Sequence, residues 1–136
     1  MKKILFQREL VIPSTIEGFN SCLDVVDEIR KQFDLNFDTS FCLHTVIVES
    51  VENAFIHGNK GDRELEVRVF ISINQTQIFV EVEDSGDGFD LDNVPHPISL
   101  EDLKTEGGRG IFFIKMLSSS CYTVGNGNII RIIIDR

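Results

Sequence analysis

Glu49 and Asn53 combine side-chain types and a spacing that could do chemistry. They lie in the stretch VIVESVENAFIHG, residues 46–58, among Val, Ile, Ala and Phe. Residues four positions apart lie one above the other on the same face of a helix. A carboxylate beside an amide oxygen can polarise a hydroxyl group and help to hold Mg²⁺. The pair predicts either one wall of a catalytic site or the edge of a partly exposed helix.

A second motif, DSGDGF at residues 84–89, follows the strand-like segment FVEVE. Gly86 and Gly88 would let the backbone turn sharply and approach a flat ligand closely. Asp84, at the end of the strand, would be a fixed acceptor for an exocyclic amino group such as that of adenine. A plain turn is the alternative. A calcium loop fits poorly, because the glutamate expected at the end of such a loop is missing.

A third motif, EGGRGIFFI at residues 106–114, puts glycines at the start of a predicted helix. The unpaired N–H groups at a helix start form a site for phosphates, so Gly108 and Gly110 are candidate phosphate-binding residues. Arg109 could reach a phosphate or remain in solvent. The motif matches neither the Rossmann nor the P-loop fingerprint, and a plain glycine hinge before an amphipathic helix is the alternative.

Hydrophobic patterns predict the first elements that position these motifs. Residues 4–12 favour a strand that is closed by Pro13. Ser14, with Glu17 three residues later, forms a capping box. A capping box in front of a periodic apolar segment predicts the start of a helix.

A second predicted helix carries the first motif. Asp38 or Thr39 can cap its start, and it runs to about His57, where Gly58 is placed to end it. The third motif opens a further helix over roughly residues 109–119.

Alternating segments predict the remaining strands. Apolar and polar residues alternate over residues 65–72, and residues 77–83 form the neighbouring strand across a tight turn. The chain ends in a hairpin around Gly125, Asn126 and Gly127, since Asn-Gly is a strong two-residue turn signal. These elements predict an α+β fold, a two-layer α/β sandwich in which one mixed, mostly antiparallel sheet is covered on one face by about three helices.

Composition narrows the classes of function. A chain of 136 residues suffices for one domain, so residues 1–136 are expected to form a single unit. The net charge of −9 excludes non-specific binding of nucleic acid, because that binding needs Lys and Arg to neutralise the phosphates. Binding of a single nucleotide remains possible, since backbone N–H groups can hold its phosphates. No segment reaches the roughly 20 apolar residues that span a membrane, and the three cysteines give no disulfide pattern. We therefore expect a cytoplasmic protein.

The three motifs are more specific together than separately. The chain carries E-x-x-x-N-A-x-x-H-G, then D-x-G-x-G after a strand, then G-G-x-G at the opening of a helix. This series resembles the N, G1 and G2 boxes of the GHKL ATPase superfamily. That superfamily includes gyrase, histidine kinases and the MutL mismatch-repair proteins. The short chain, the capping box and the phrase EGGRGIFFIK look most like the stand-alone anti-sigma factor serine/threonine kinases of bacteria.

The resemblance implies roles for the matching residues. Glu49 would position or deprotonate the attacking hydroxyl group, and Asn53 would hold the Mg²⁺ that bridges the phosphates of ATP. Asp84 would accept a hydrogen bond from the adenine amino group, in a base pocket shaped by Gly86 and Gly88. The glycines at 108 and 110, with the arginine between them, would bind phosphates, and residues 90–107 would form the ATP lid.

Two positions depart from the pattern of the family. Members commonly carry Thr near the last hairpin, where it supports the adenine-binding Asp, whereas this chain has Asn128. Glu106 stands where some members place Arg. Base recognition and charge stabilisation of the transferred phosphoryl group are the two properties that these changes affect. Glu52 and His57 are interpreted as ordinary structural residues.

The resemblance implies an ATP- and Mg²⁺-dependent protein serine/threonine kinase. It would phosphorylate a small antagonist protein and sequester a sigma factor when that antagonist is unavailable. A homodimer, formed through the sheet or through the first strand and helix, is a further expectation from resemblance. Two alternatives are a non-catalytic module that binds a partner or a nucleotide, and a detached ATP-binding domain that acts on a histidine of another chain.

Overall fold

Five strands and three α-helices make up the part of the chain that the computed structural model describes, residues 3–86 and 109–136, with residue 109 described by its backbone alone. In chain order the elements are β1 (Phe6–Pro13), α1 (Ile16–Gln32), α2 (Phe37–Asn53), a π-helical turn (Ala54–Gly58), β2 (Glu66–Ile73), β3 (Gln77–Glu83), α3 (Arg109–Leu117), β4 (Ser120–Val124) and β5 (Ile129–Asp135). None of the helices in these ranges is long and apolar enough to cross a membrane.

The strands form one sheet in the order β1-β2-β3-β5-β4. All four pairings among the described strands are antiparallel, so the sheet there contains no parallel pair of the kind that a mixed sheet implies. Pro13 at the end of β1 pairs with Glu66 at the start of β2, so α1 and α2 leave the sheet and return to it at the same end, as antiparallel pairing requires. The predicted α+β sandwich is confirmed.

The core lies between one face of the sheet and the helices. Side chains on that face of β2, β3 and β5 are almost fully buried, as the predicted alternation in residues 65–72 requires. The helices supply the other half of the core, which is made largely of Ile and Val. The buried members from the sheet include Val67, Val69, Ile71, Ile73, Ile78, Val80 and Ile132.

The start of α1 differs from the predicted capping box. Thr15, with an extended backbone, is the capping residue, and its hydroxyl oxygen accepts a hydrogen bond from the N–H of Gly18 at 3.2 Å. The hydroxyl group of Ser14 is used elsewhere, because it donates to the carbonyl oxygen of Leu65 at 2.7 Å and accepts from Nδ2 of Asn59 at 3.0 Å. The prediction was wrong by one residue because a contact 51 positions away decides which hydroxyl group faces the helix.

The start of α2 also differs from prediction. The side-chain oxygen of Asn36 accepts a hydrogen bond from the N–H of Thr39 at 2.8 Å, so Asn36 is the cap and neither Asp38 nor Thr39 is. Asn is among the best capping residues, and its position here places the first buried residue of α2 at Thr39.

The end of α2 changes its hydrogen-bond pattern before it stops. The α-helix ends at Asn53, and residues Ala54–Gly58 continue as a π-helical turn in which the N–H of Asn59 bonds to the carbonyl oxygen of Ala54 at 2.8 Å. Such single π turns occur often at functional sites, because they shift the backbone by one residue relative to a regular helix. The helical segment therefore ends at Gly58, one residue after the predicted end near His57, and its last turn is wider than an α-helical one.

The last hairpin is wider than predicted. Val124 pairs with Ile129, so residues 125–128 form a four-residue loop and not a two-residue turn. Gly125 and Gly127 have φ of 65° and 96°, a conformation that glycine adopts without strain. The helix before this hairpin ends at Leu117, two residues short of the predicted boundary.

Candidate functional site

Glu49 and Asn53 lie one turn apart on α2, and both side chains are half-buried. Glu52 and His57 are exposed, and their interpretation as ordinary structural residues stays a prediction. The α-helical spacing therefore separates the four polar residues of this segment into two groups. One group lines the interior edge of the helix and the other faces solvent.

The carboxylate of Glu49 lies against the first turn of α3. A Cβ atom added to Gly110 would stand 2.8 Å from Oε2 of Glu49, so only the absence of a side chain at 110 allows the two to approach. α2 packs along α3, and α3 begins at Arg109. The N–H groups of the first turn of a helix have no partners within that helix, and they form its positive end. The structure thus brings a carboxylate next to the positive end of a helix.

Asp84 follows the last residue of β3 and is 8% exposed. Its Oδ1 accepts a hydrogen bond from the N–H of Gly86 at 2.7 Å, which fixes the orientation of the carboxylate. Burial raises the pKa of Asp84, the Gly86 N–H opposes that rise, and the charge of Glu83 adds to it. A carboxylate in such a place is oriented by its own loop and is ready to accept a hydrogen bond from a ligand.

Gly58 and Gly86 leave room for this carboxylate. A Cβ atom on Gly58 would collide with Cγ and Oδ2 of Asp84, and one on Gly86 would collide with the carbonyl oxygen of Gly58. The end of the π-helical turn and the loop after β3 therefore pack together without intervening side chains. Sequence reasoning assigned Gly58 only to helix termination, although the motif E-x-x-x-N-A-x-x-H-G ends on this glycine.

Asn128 holds Asp84 from the side of the last hairpin. Its Nδ2 donates to the backbone carbonyl oxygen of Asp84 at 3.0 Å, and the N–H of Asp84 donates to the carbonyl oxygen of Asn128, also at 3.0 Å. The residue that departs from the family pattern thus contacts the expected aspartate through the backbone. Asn128 can therefore support Asp84 in place of a threonine hydroxyl group.

Comparisons with known proteins agree with this arrangement. The family model described as the histidine kinase-like ATPase domain matches residues 12–134. This chain belongs to that family. It is also similar to the serine-protein kinase RsbW of Bacillus subtilis, with 24% identity over 115 residues, which is 80% of this chain and 72% of that protein. The resemblance to histidine-kinase-type ATPases, made from three short motifs, is confirmed.

The two halves of the site lie along one helix of this ATPase domain. Glu49 is near one end of the segment and Gly58, beneath Asp84, is at the other, nine residues later. Four residues of α-helix, about 6 Å along the axis, separate Glu49 from Asn53, and the π-helical turn then leads to Gly58. An elongated ligand with a flat base at one end and phosphates at the other has the shape for such a site.

Several predicted residues lie outside the described ranges. They are Gly88, Gly108, Glu106 and the lid segment 90–107. Arg109 opens α3, as the third motif predicts, and only its backbone is described. Their assigned roles in base and phosphate binding stay predictions.

Asn59 is a residue of the site that sequence reasoning missed. It is 2% exposed, and its side-chain Oδ1 accepts a hydrogen bond from the N–H of Ser85 at 2.8 Å. The segment NKGDRE was interpreted as a polar loop, in which an asparagine is unremarkable. Nothing local distinguishes a buried asparagine from an exposed one, since two of its three side-chain partners lie 26 and 45 residues away.

Proposed function

We propose that this protein binds ATP with Mg²⁺ and transfers the γ-phosphoryl group to a serine or threonine of a small antagonist protein. Membership of the histidine kinase-like ATPase family supports the use of ATP. The similarity to RsbW, a serine-protein kinase by name, supports a hydroxyl group as the acceptor. The proposal includes a regulatory cycle in which the unphosphorylated antagonist releases a sigma factor that the kinase otherwise holds.

The observation that carries the proposal is the approach of Glu49 to the start of α3 at Gly110. Phosphates bound at that helix start would lie beside the carboxylate. An acceptor hydroxyl group placed between them can give its proton to Glu49 as its oxygen bonds to the γ-phosphorus. The bond between that phosphorus and the bridging oxygen breaks, and ADP leaves with the electron pair. Glu49 acts in this scheme by alignment and as a proton acceptor.

Asp84 would recognise the adenine base. Its carboxylate, held by the N–H of Gly86, would accept a hydrogen bond from the exocyclic amino group. Asn128 supports the backbone of that residue from the last hairpin. A guanine base has a carbonyl oxygen at the corresponding position and would place two acceptors together, so the arrangement favours adenine.

Asn53 suits the magnesium ion that accompanies ATP. Mg²⁺ takes hard oxygen ligands and usually keeps several waters beside one or two protein ligands and the phosphates of its substrate. The amide oxygen of Asn53, a half-buried residue on the same helix as Glu49, is such a ligand. When bound, the ion would neutralise phosphate charge, and Asn53 would fix its place between the two ends of the site.

The test compares Glu49→Gln with Glu52→Gln. Glu52 is exposed on the same helix, so the second variant is a control for loss of one charge from α2. Each protein is incubated with γ-labelled ATP, Mg²⁺ and purified candidate antagonist proteins from the same genome, and the acid stability of the labelled product is measured. We expect transfer by Glu49→Gln to fall about 10²–10⁴-fold, with ATP binding retained, and transfer by Glu52→Gln to match wild type.

Each of the other outcomes would contradict a different part of the proposal. Equal transfer by wild type and Glu49→Gln would remove the role of Glu49. ATP binding without transfer to any candidate would favour the non-catalytic module, and an acid-labile product would favour transfer to histidine. A wild-type protein that binds no nucleotide would overturn the proposal as a whole.

A further inference from the structure

Asn59 is a buried amide that joins the end of α2 to the loop that carries Asp84. It follows the π-helical turn directly, and the turn places its N–H on the carbonyl oxygen of Ala54. Its side chain leaves the helix end and reaches the N–H of Ser85, in the loop after β3, at 2.8 Å. An amide that is 2% exposed must have its hydrogen bonds supplied by the protein.

The surrounding contacts fix the orientation of this amide. Its Nδ2 donates to Oγ of Ser14 at 3.0 Å and to the carbonyl oxygen of Glu66 at 3.2 Å. Ser14 gives its own hydroxyl proton to the carbonyl oxygen of Leu65, so its Oγ can only accept from Asn59. The amino group of Asn59 must therefore point towards Ser14, and Oδ1 must point towards Ser85.

Two anchors then hold the loop that carries Asp84. Asn128 holds the backbone of Asp84 on the side of the last hairpin. Asn59 holds the next residue, Ser85, on the side of the helix end. Gly86 follows, and its N–H orients the Asp84 carboxylate. Without the bond from the Ser85 N–H to Asn59, the turn that brings the Gly86 N–H to the Asp84 carboxylate would be less restrained. The bonds between Asn128 and Asp84 would stay in place.

We infer that Asn59 is a positioning residue for recognition of the nucleotide base, acting on Asp84 through the Ser85 backbone. The inference rests on the proposed use of ATP and adds a specificity determinant to it. Asn59 need not touch the ligand. Its effect is to keep the carboxylate of Asp84 aimed at the exocyclic amino group, and the quantity that it controls is the preference for a base that carries this group.

The experiment measures that preference by titration with two ligands. ATP carries the 6-amino group, and purine riboside 5′-triphosphate lacks it while keeping the ring and the phosphates. Wild-type protein is expected to prefer ATP. Asn59→Ala should lose about tenfold of that preference, since the loss of one well-placed hydrogen bond to a carboxylate changes affinity by about that factor.

Ser14→Ala is the matched control. It removes a buried hydrogen-bond partner of the same asparagine but leaves the bond between Asn59 and Ser85 in place. Both variants should lower the midpoint of thermal unfolding, whereas only Asn59→Ala should lower the preference for ATP. If Asn59→Ala fails to fold, Asn59→Ser, which is too short to span both sets of partners, takes its place in the same comparison.

The experiment distinguishes failure of the proposed function from failure of the role of Asn59. A wild-type protein that binds both triphosphates equally would contradict the assignment of Asp84 in the proposed function. A wild-type protein that prefers ATP, with the full preference retained in the folded position-59 variant, would overturn the role of Asn59 alone. Amide hydrogen exchange at Ser85 gives a readout without a ligand, and it should be faster in Asn59→Ala and unchanged in Ser14→Ala.

Discussion

The carboxylate of Asp84 occupies the space that a side chain at position 58 would need. A Cβ atom on Gly58 would stand 2.7 Å from Oδ1 and still closer to the rest of the carboxylate. The φ angle of Gly58 is not in the left-handed region, so the need for glycine here is one of space and not of backbone conformation. The end of the first motif and the start of the second therefore form a single unit of structure.

Gly58→Ala should displace Asp84 and weaken ATP binding. The added methyl group meets a carboxylate that is 8% exposed and tied to Gly86, so neither partner can move without breaking a contact. We expect a loss of about 1–3 kcal/mol in the free energy of unfolding, as overpacking usually causes, and at least a tenfold rise in the Kd for ATP. Urea unfolding and titration calorimetry measure the two effects.

Gly61→Ala is the control for this substitution. Gly61 has φ of 74°, and a Cβ atom added there would meet nothing within 4 Å, so alanine should cost about 1–2 kcal/mol of backbone strain and meet no ligand-binding group. The Kd for ATP should stay at the wild-type value. Similar losses of affinity in both variants would show that general destabilisation, and not the displacement of Asp84, weakens binding.

Asn128→Ala tests whether asparagine serves in place of the threonine that family members commonly carry. The substitution removes the hydrogen bond from Nδ2 to the carbonyl oxygen of Asp84 but keeps the backbone bond between the same two residues. We expect ATP affinity to fall about fivefold, which corresponds to about 1 kcal/mol for one hydrogen bond. The control is Asn126→Ala, an exposed position in the same loop, which should bind ATP as wild type does. Unchanged binding by Asn128→Ala would mean that the backbone contact alone supports Asp84.

Sequence reasoning succeeded where local patterns decide the structure. Alternation over residues 65–72 identified one strand, because one buried face requires a period of two, and a tight turn after it identified residues 77–83 as the neighbouring strand. Glu49 and Asn53 could be assigned to one helix face for the same kind of reason, since helical geometry depends only on spacing. The order of three motifs then identified the family.

Sequence reasoning failed where a contact between residues far apart in the chain decides the role of a residue. Ser14 and Thr15 are both good caps, and the carbonyl oxygen of Leu65 decides between them. The role of Gly58 depends on Asp84, 26 positions later, and that of Asn59 depends on Ser85. No local periodicity or turn signal encodes these pairs, because they follow from the way in which β3 and the end of α2 come together.

Glu81 should make a pH-dependent contribution to stability from the sheet face opposite the helices. It is 8% exposed and accepts hydrogen bonds from Arg131, at 2.6 Å to Nε, and from Arg68. Burial by itself raises the pKa of Glu81, but the bonds from Arg131 and Arg68 outweigh it, and the pKa lies below its ordinary value. A carboxylate whose pKa is lower in the folded state stabilises the fold above its unfolded pKa and loses that effect as the pH falls through the folded pKa.

Glu81→Gln should therefore cost about 1–2 kcal/mol at pH 7, a figure that allows for the partial exposure of Arg131. The difference from wild type should shrink as the pH falls below the ordinary pKa of glutamate, because the unfolded chain then takes up a proton at Glu81, and it should vanish once the pH has passed the lower folded-state pKa. Urea unfolding of both proteins at pH 7 and at a series of lower pH values measures the difference. Glu83→Gln, which loses one bond to Arg68 at a more exposed carboxylate, should show a smaller change at pH 7. A cost at position 81 that stays constant down to the lowest pH would mean that packing, and not the charge of Glu81, accounts for it.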